Sequence, residues 1–208
     1  MLAYDDKKHT YTVDGIVKPS VTQILSNVGT RREGSDGKKH WSPIGFDDRF
    51  FDDSGNASKF GQHFHMVAHW FALETDCEYD PKMEPWVKGL KKFFHDYRKK
   101  FADIKKHIVE MPMYSKAYGF TGTPDWYFET TNDRYLIDWK TGVLNKTYSR
   151  LQTAAYGKLI NEYFGFSRNP IRITVQVIAH DYQVDIRKYN PEDWNQFLSL
   201  LNVWKMGA

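Results

Sequence analysis

The chain has 208 residues, 41% hydrophobic and 16% aromatic, with a formal net charge of +3 and a pI near 8.7. That is enough apolar material for the core of one domain, or of one domain with a helical elaboration. Mild basicity is compatible with a polyanionic partner without identifying one, and the single cysteine, Cys77, excludes both an intrachain disulfide and a cysteine-ligated zinc or iron–sulfur site.

The start, MLAYDDKKHTYTV, has no apolar h-region and carries two early acids, so it reads as neither a secretory signal nor a transit peptide. No stretch approaches the roughly 18 apolar residues of a membrane helix. A soluble, cytoplasmic protein is expected. HTYTVDGIVK alternates around Asp14-Gly15, a hairpin turn signal. PSVTQILSNVG follows as a short helix, with Ser20 as cap and Gly29 as stop. Residues 30–57 are polar, glycine-containing and studded with aromatics, and read as a long loop. Arg31, Arg32, Lys38 and Lys39 are its basic points. Trp41, Phe46, Phe50 and Phe51 are its rings, suited to core burial or to stacking on unpaired bases.

ASKFGQHFHMVAHWFALE is helical, with a stripe of Phe60, Phe64, Val67 and Phe71. A second long helix over 83–103 turns Trp86, Leu90, Phe93, Phe94, Tyr97 and Phe101 inward, and its Lys91, Lys92, Arg98, Lys99 and Lys100 elsewhere. The pattern then becomes β-rich. HIVEMPMYS, FTGTPDWYFET, RYLIDWKT, IRITVQVIAH and YQVDIRKY each read as one strand. A helix, TYSRLQTAAYGKLINEYFG, separates the third from the fourth and closes at Gly165; a last helix begins at Pro191. Three strands, a crossover helix and further strands predict an α/β core with a mixed sheet. Residues 1–57 form its N-terminal hairpin, short helix and loop, 58–105 a helical region, and 106–208 the α/β core.

LIDWKTG, residues 136–142, sets Asp138 and Lys140 in an apolar run. In a strand, i and i+2 share a face, so both project together while Ile137 and Trp139 project the other way. The D/E-x-K spacing itself occurs six times in the chain and carries little. Its company carries more. Asp125, in GTPDW, lies on the preceding strand, and a hairpin brings it near Asp138. Two close carboxylates repel unless a positive charge lies between them. A hard divalent cation such as Mg²⁺ suits that arrangement, with Lys140 placed to orient water or stabilise charge on a phosphorus centre. Glu110 interrupts another apolar strand. Gln152 and Tyr156, at i and i+4, share a helix face that can hydrogen-bond phosphate or base.

These residues resemble the PD-(D/E)xK nuclease superfamily, specifically its RecB-like branch. GTPDW is similar to its G-x-x-D, IDWKTG to its D-x-K-T-G, QTAAY to its Q-x-x-x-Y, and FGQHFH to its G-x-x-x-H, with Gly61 and His65 in register. HIVEMPM supplies the acid of the first core strand. KPSVTQIL resembles a segment of small RecB-like exonucleases, including the mitochondrial genome-maintenance type. The match runs in order over about residues 60–160.

The resemblance implies a restriction-endonuclease-like core with an N-terminal helical cap. It implies one or two Mg²⁺ or Mn²⁺ ions on Asp125, Asp138, His65 and the carbonyl of Trp139, with Glu110 as a direct or outer ligand. It implies Lys140 as the catalytic lysine and Gln152 and Tyr156 as DNA contacts, joined by Arg31, Arg32, Lys38 and Lys39. Relatives with an iron–sulfur cluster use four cysteines, which this chain lacks. The expected activity is exonucleolytic, on DNA with free ends and preferably single-stranded, in recombination, repair or replication. The expected setting is a bacterial or phage-infected host, alone or recruited by a recombination or replication protein. A structure-specific or restriction-type endonuclease and a non-catalytic DNA-binding protein on the same scaffold are the alternatives. The latter predicts loss of an acid or of the lysine, and none is lost. HMVAH places His65 and His69 at the spacing of zinc-protease helices, but Met66 stands where the glutamate base is required.

Overall fold

The computed structural model describes residues 1–5, 8, 10–27, 29–33, 39–43, 56–97, 102–142 and 144–207. The chain opens with an antiparallel three-stranded sheet, β1 (Leu2–Asp5), β2 (Thr10–Val13) and β3 (Ile16–Lys18). Asp14 and Gly15 both take positive φ, as the tight turn between β2 and β3 requires. Helix α1 (Val21–Asn27) is capped reciprocally: Gln23 N donates to Ser20 Oγ, and Ser20 N donates to Gln23 Oε1.

The expected long loop over 30–57 is not a loop throughout. Strands β4 (Gly29–Glu33) and β5 (Lys39–Pro43) pair antiparallel within it, and helix α2 (Asn56–Ala72) starts at its end. Gly29, expected to stop a helix, opens a strand. TRRE and KHWS lack an apolar alternation, so a hairpin made by backbone pairing leaves no pattern to read. Arg31 and Arg32 lie in β4 and Lys39 opens β5; Lys38, Phe46, Phe50 and Phe51 lie outside the described residues.

The core is a five-stranded mixed sheet in the order β12-β11-β10-β9-β6. Its strands are β6 (Lys106–Val109), β9 (Trp126–Glu129), β10 (Arg134–Lys140), β11 (Ile171–Ile178) and β12 (Asp181–Arg187). Helix α4 (Lys146–Phe164) crosses from β10 to its parallel neighbour β11; the other pairings are antiparallel. Asn145 caps α4 at one end, and Gly165, at φ +70°, closes it at the other. Helices α2 and α3 (Glu84–Tyr97) cover one face of the sheet, packing Phe64, Leu90 and Phe93 on Trp126, Ile137 and Trp139. Helices α1, α4 and α5 (Pro191–Met206) cover the other, around Leu136, Tyr127, Leu159 and Phe197. The mixed α/β core with flanking helices is therefore as expected, although the first 43 residues contribute mainly strands. Helix α3 approaches the β11–β12 turn so closely that a Cβ on Gly89 would stand 2.4 Å from Asp181 O and 2.6 Å from Ile178 O.

Two of the expected strands are each split. HIVEMPMYS forms β6 and a separate β7 (Met113–Ser115), and FTGTPDWYFET forms β8 (Phe120–Gly122) and then β9. The break in the first falls at Glu110, whose φ is +49°, just before Pro112. The break in the second falls at Thr123-Pro124-Asp125; proline has no N–H to donate to a ladder. Strands β7 and β8 pair with one another as a two-stranded excursion from the main sheet. Thr121, on β8, bonds through both its N–H and its hydroxyl to Pro19 O, which ties the N-terminal segment to the excursion.

Candidate functional site

The excursion leaves the main sheet at Glu110 and rejoins it at Asp125. The β6–β9 ladder ends at Val109 opposite Trp126, and Glu110 N donates to Asp125 O one step further on. Trp126 is also opposite Ile137. The three strands thus bring Glu110, Asp125 and Asp138 to one end of the sheet, although they lie far apart in sequence. Asp125 is fixed from two sides: Trp139 N donates to its Oδ2 at 2.7 Å, and His65 Nδ1, from α2, lies 3.5 Å from its Oδ1. His65 Nδ1 is 3.7 Å from Glu110 Oε1.

Asp138 and Lys140 project together from β10, with Lys140 Nζ 2.7 Å from Asp138 Oδ2. Asp138 is fully buried, and its Oδ1 has no hydrogen-bond partner among the described residues. Ile137 and Trp139 point the other way into the aromatic layer under α2 and α3, as the strand alternation requires.

The site has a buried floor and a partly exposed rim. Asp125, Asp138, Gln152 and Tyr156 form the floor; Gln152 Nε2 donates to the Tyr156 hydroxyl at 3.1 Å. Gly122 belongs to it by necessity. A Cβ there would lie 2.8 Å from the Tyr156 ring, which gives the glycine of GTPDW a steric reason. Gly61 has no such reason, since its Cβ would make only ordinary contact with Thr141. His65, Glu110 and Lys140 form the rim, their side chains 31%, 35% and 24% exposed.

The electrostatics separate the two aspartates. Burial pushes Asp138 up to about 6, against the pull of Lys140 and with help from Asp125. Burial acts on Asp125 too, but His65 and Lys140 outweigh it and hold that carboxyl below its ordinary value. Burial works against a proton on His65, yet the charge and hydrogen bonds of Asp125 and Glu110 raise the imidazole to about 10. Lys140 is likewise raised, because Asp138 and Asp125 overcome its burial. The assembly is a set of acids that demands positive charge from whatever lies among them.

One ligand atom from each of His65, Glu110 and Asp125 can lie within 4.8 Å of the others. Two carboxylates and an imidazole nitrogen could hold a metal ion, and Asp138 Oδ1, without a partner among the described residues, adds an acceptor nearby. Asp138 is not one of that three-residue set; its carboxylate meets Lys140. Trp139 contributes its N–H, to Asp125. Arg31, Arg32 and Lys39 are described only as backbone positions of the β4–β5 hairpin.

Two residues went unnoticed in the sequence. Tyr11, on β2, is 6% exposed and places its hydroxyl 2.6 Å from Thr123 Oγ1, beside the turn that carries Asp125; burial pushes this phenol up to about 12. No local pattern marks it. Tyr148 lies one helical turn before Gln152 and close enough to Lys140 and Asp138 to feel both charges. The i+4 spacing that picks out Gln152 and Tyr156 extends back to it.

No model of a known protein family matches the chain, and no curated protein sequence matches it. Among solved structures, SSO0001 aligns at 14% identity with a TM-score of 0.37, over 62% of this chain and 61% of that one. The alignment therefore spans about three fifths of SSO0001. LHK-Exo, solved in complex with dAMP, aligns at 13% identity with a TM-score of 0.31, over 70% of this chain and 78% of that one. Both likenesses are distant. No described helix is long and apolar enough to cross a membrane.

Proposed function

We propose that the protein is a divalent-cation-dependent deoxyribonuclease of the RecB-like PD-(D/E)xK type, acting as an exonuclease on DNA ends with a preference for single strands. The observation that carries this reading is the meeting of Asp125, Asp138 and Lys140 with His65 and Glu110 at one end of the sheet, with Asp138 Oδ1 left unpartnered. A buried carboxylate with one oxygen unsatisfied is costly in a purely structural role.

His65, Glu110 and Asp125 would hold a Mg²⁺ or Mn²⁺ ion, with Asp138 and the Trp139 carbonyl beside it. Such an ion, when bound, supplies Lewis-acid activation of the scissile phosphate. Lys140, held by Asp138, presents an ammonium to the phosphate oxygens as negative charge builds on them. Trp139 N and His65 fix Asp125, so the acid is oriented before substrate arrives. Water adds to phosphorus, one P–O bond breaks, and the two new ends carry a phosphate and a hydroxyl. Arg31, Arg32, Lys38 and Lys39 would guide the backbone, with binding that weakens steeply as salt rises. Gln152 and Tyr156 would support the substrate from the floor. A recombination or replication protein in a bacterial or phage-infected cytoplasm is the proposed partner.

The test uses end-labelled linear and closed circular single-stranded DNA with Mg²⁺ or with EDTA. Metal-dependent loss of linear DNA alone, abolished in Lys140→Ala, is the expected result. Cutting of circles would replace the exonuclease by an endonuclease. No cleavage, with salt-sensitive binding kept, would make the chain a non-catalytic DNA-binding protein.

A further inference from the structure

Helix α4 carries Tyr148, Gln152 and Tyr156 at four-residue spacing, hence on one face. The last two are only 5% and 4% exposed and hydrogen-bond to one another. Tyr156 is further locked by Gly122, against which its ring lies too close for any added Cβ. Tyr148 differs. It is partly exposed, it lies in the first turn of α4, and it is close enough to Lys140 and Asp138 to feel both charges.

Building on the nuclease reading, we propose that Tyr148 is a substrate-contacting residue whose hydroxyl donates to a non-bridging oxygen of the DNA phosphate that Lys140 faces. The chemistry suits the position. A phenol is a neutral O–H donor near neutral pH, and a phosphate oxygen is a strong acceptor. Ser26, from α1, also bonds the Tyr148 hydroxyl. A phenol both donates and accepts, so that bond and a phosphate contact are compatible. Tyr148 and Lys140 then grip one phosphate from α4 and β10, while Gln152 and Tyr156 hold the floor.

The experiment compares wild type, Tyr148→Phe and Ser26→Ala. It measures steady-state cleavage of a single-stranded oligonucleotide with Mg²⁺, binding of the same oligonucleotide by anisotropy with Ca²⁺, and Tm. For Tyr148→Phe we expect KM and Kd to rise about tenfold, the loss of one hydrogen bond to a charged acceptor, with kcat within about twofold and Tm no lower than that of Ser26→Ala. Ser26→Ala is expected to keep the wild-type KM and Kd. Unchanged KM and Kd in Tyr148→Phe would overturn the assignment while leaving the nuclease reading intact. So would an equal loss in Ser26→Ala, which would reduce Tyr148 to a clasp between α1 and α4. If wild type binds but does not cleave, a weakened Kd in Tyr148→Phe supports the contact without the nuclease activity. A wild type that neither binds nor cleaves overturns both.

Discussion

Asp138 and Asp193 are both buried aspartates in contact with cationic side chains, and they are treated oppositely. Asp193, in the first turn of α5, is 1% exposed, and each of its oxygens accepts from a guanidinium: Arg150 at 2.7 Å and Arg172 at 2.6 Å. Arg172 also donates to Arg150 O and Lys188 O, so among the described residues Nε alone of its guanidinium nitrogens is left over. Burial alone would raise Asp193, but the two arginines reverse it and hold the carboxyl below its ordinary range. Asp138 has one lysine, a neighbouring acid, and an oxygen with no partner among the described residues; its carboxyl rises to about 6. A buried carboxylate satisfied on both oxygens is a strut that pins α4, β11 and α5 together. An undersatisfied one spends stability to hold charge where a ligand is needed.

That contrast can be broken in several ways. The largest effect is expected on cleavage: Lys140→Ala and Asp138→Asn should each lower the rate at least about 100-fold, as for loss of a main charge-stabilising group. Next, Asp193→Asn should lower unfolding stability by about 3 kcal/mol in a urea titration, because it strands two cations, one of them fully buried. A site that seeks positive charge should also be stabilised by it. Mn²⁺ at about 100 times its Kd should add about 2.7 kcal/mol, read as a rise in Tm that Asp125→Asn loses and Asp193→Asn retains. Gly122→Ala should cost about 1–3 kcal/mol by forcing the Tyr156 ring aside, and should weaken cleavage with it.

The smallest effect is the acid limb of stability. The folded pKa of Asp193 lies below its unfolded value. Its contribution is therefore complete above the unfolded pKa of about 3.9 and is lost as pH falls through the folded one. Wild type should lose stability in that window more steeply than Asp193→Asn, and a pH series of thermal melts checks this.

Much of this was legible in the chain, for physical reasons. Runs of β-branched and aromatic residues marked β10 and β11, a 3.6-residue stripe marked α2, and Pro191 and Gly165 marked helix ends. The shared face of Asp138 and Lys140 follows from the two-residue period of a strand, and the approach of Asp125 from a hairpin. What stayed hidden depends on backbone or on distant packing. The positive φ of Glu110 splits a run that reads as one strand. The β4–β5 hairpin is held by a ladder of polar residues. Tyr11 comes from a separate sheet more than 100 residues from its partner Thr123. Burial of Gln152 and Tyr156 could not be read either, because a helix face says which residues are neighbours and not what covers them.

The central claim is that Asp138 is a working group and Asp193 a strut. The most direct measurement is a paired one: Tm and Mg²⁺-dependent cleavage of linear single-stranded DNA for Asp138→Asn and Asp193→Asn beside wild type. The account predicts that Asp138→Asn abolishes cleavage while Tm holds or rises. It predicts that Asp193→Asn lowers Tm while the protein still folded cleaves at close to the wild-type rate. An Asp138→Asn variant that cleaves normally, or that melts as early as Asp193→Asn, would contradict it.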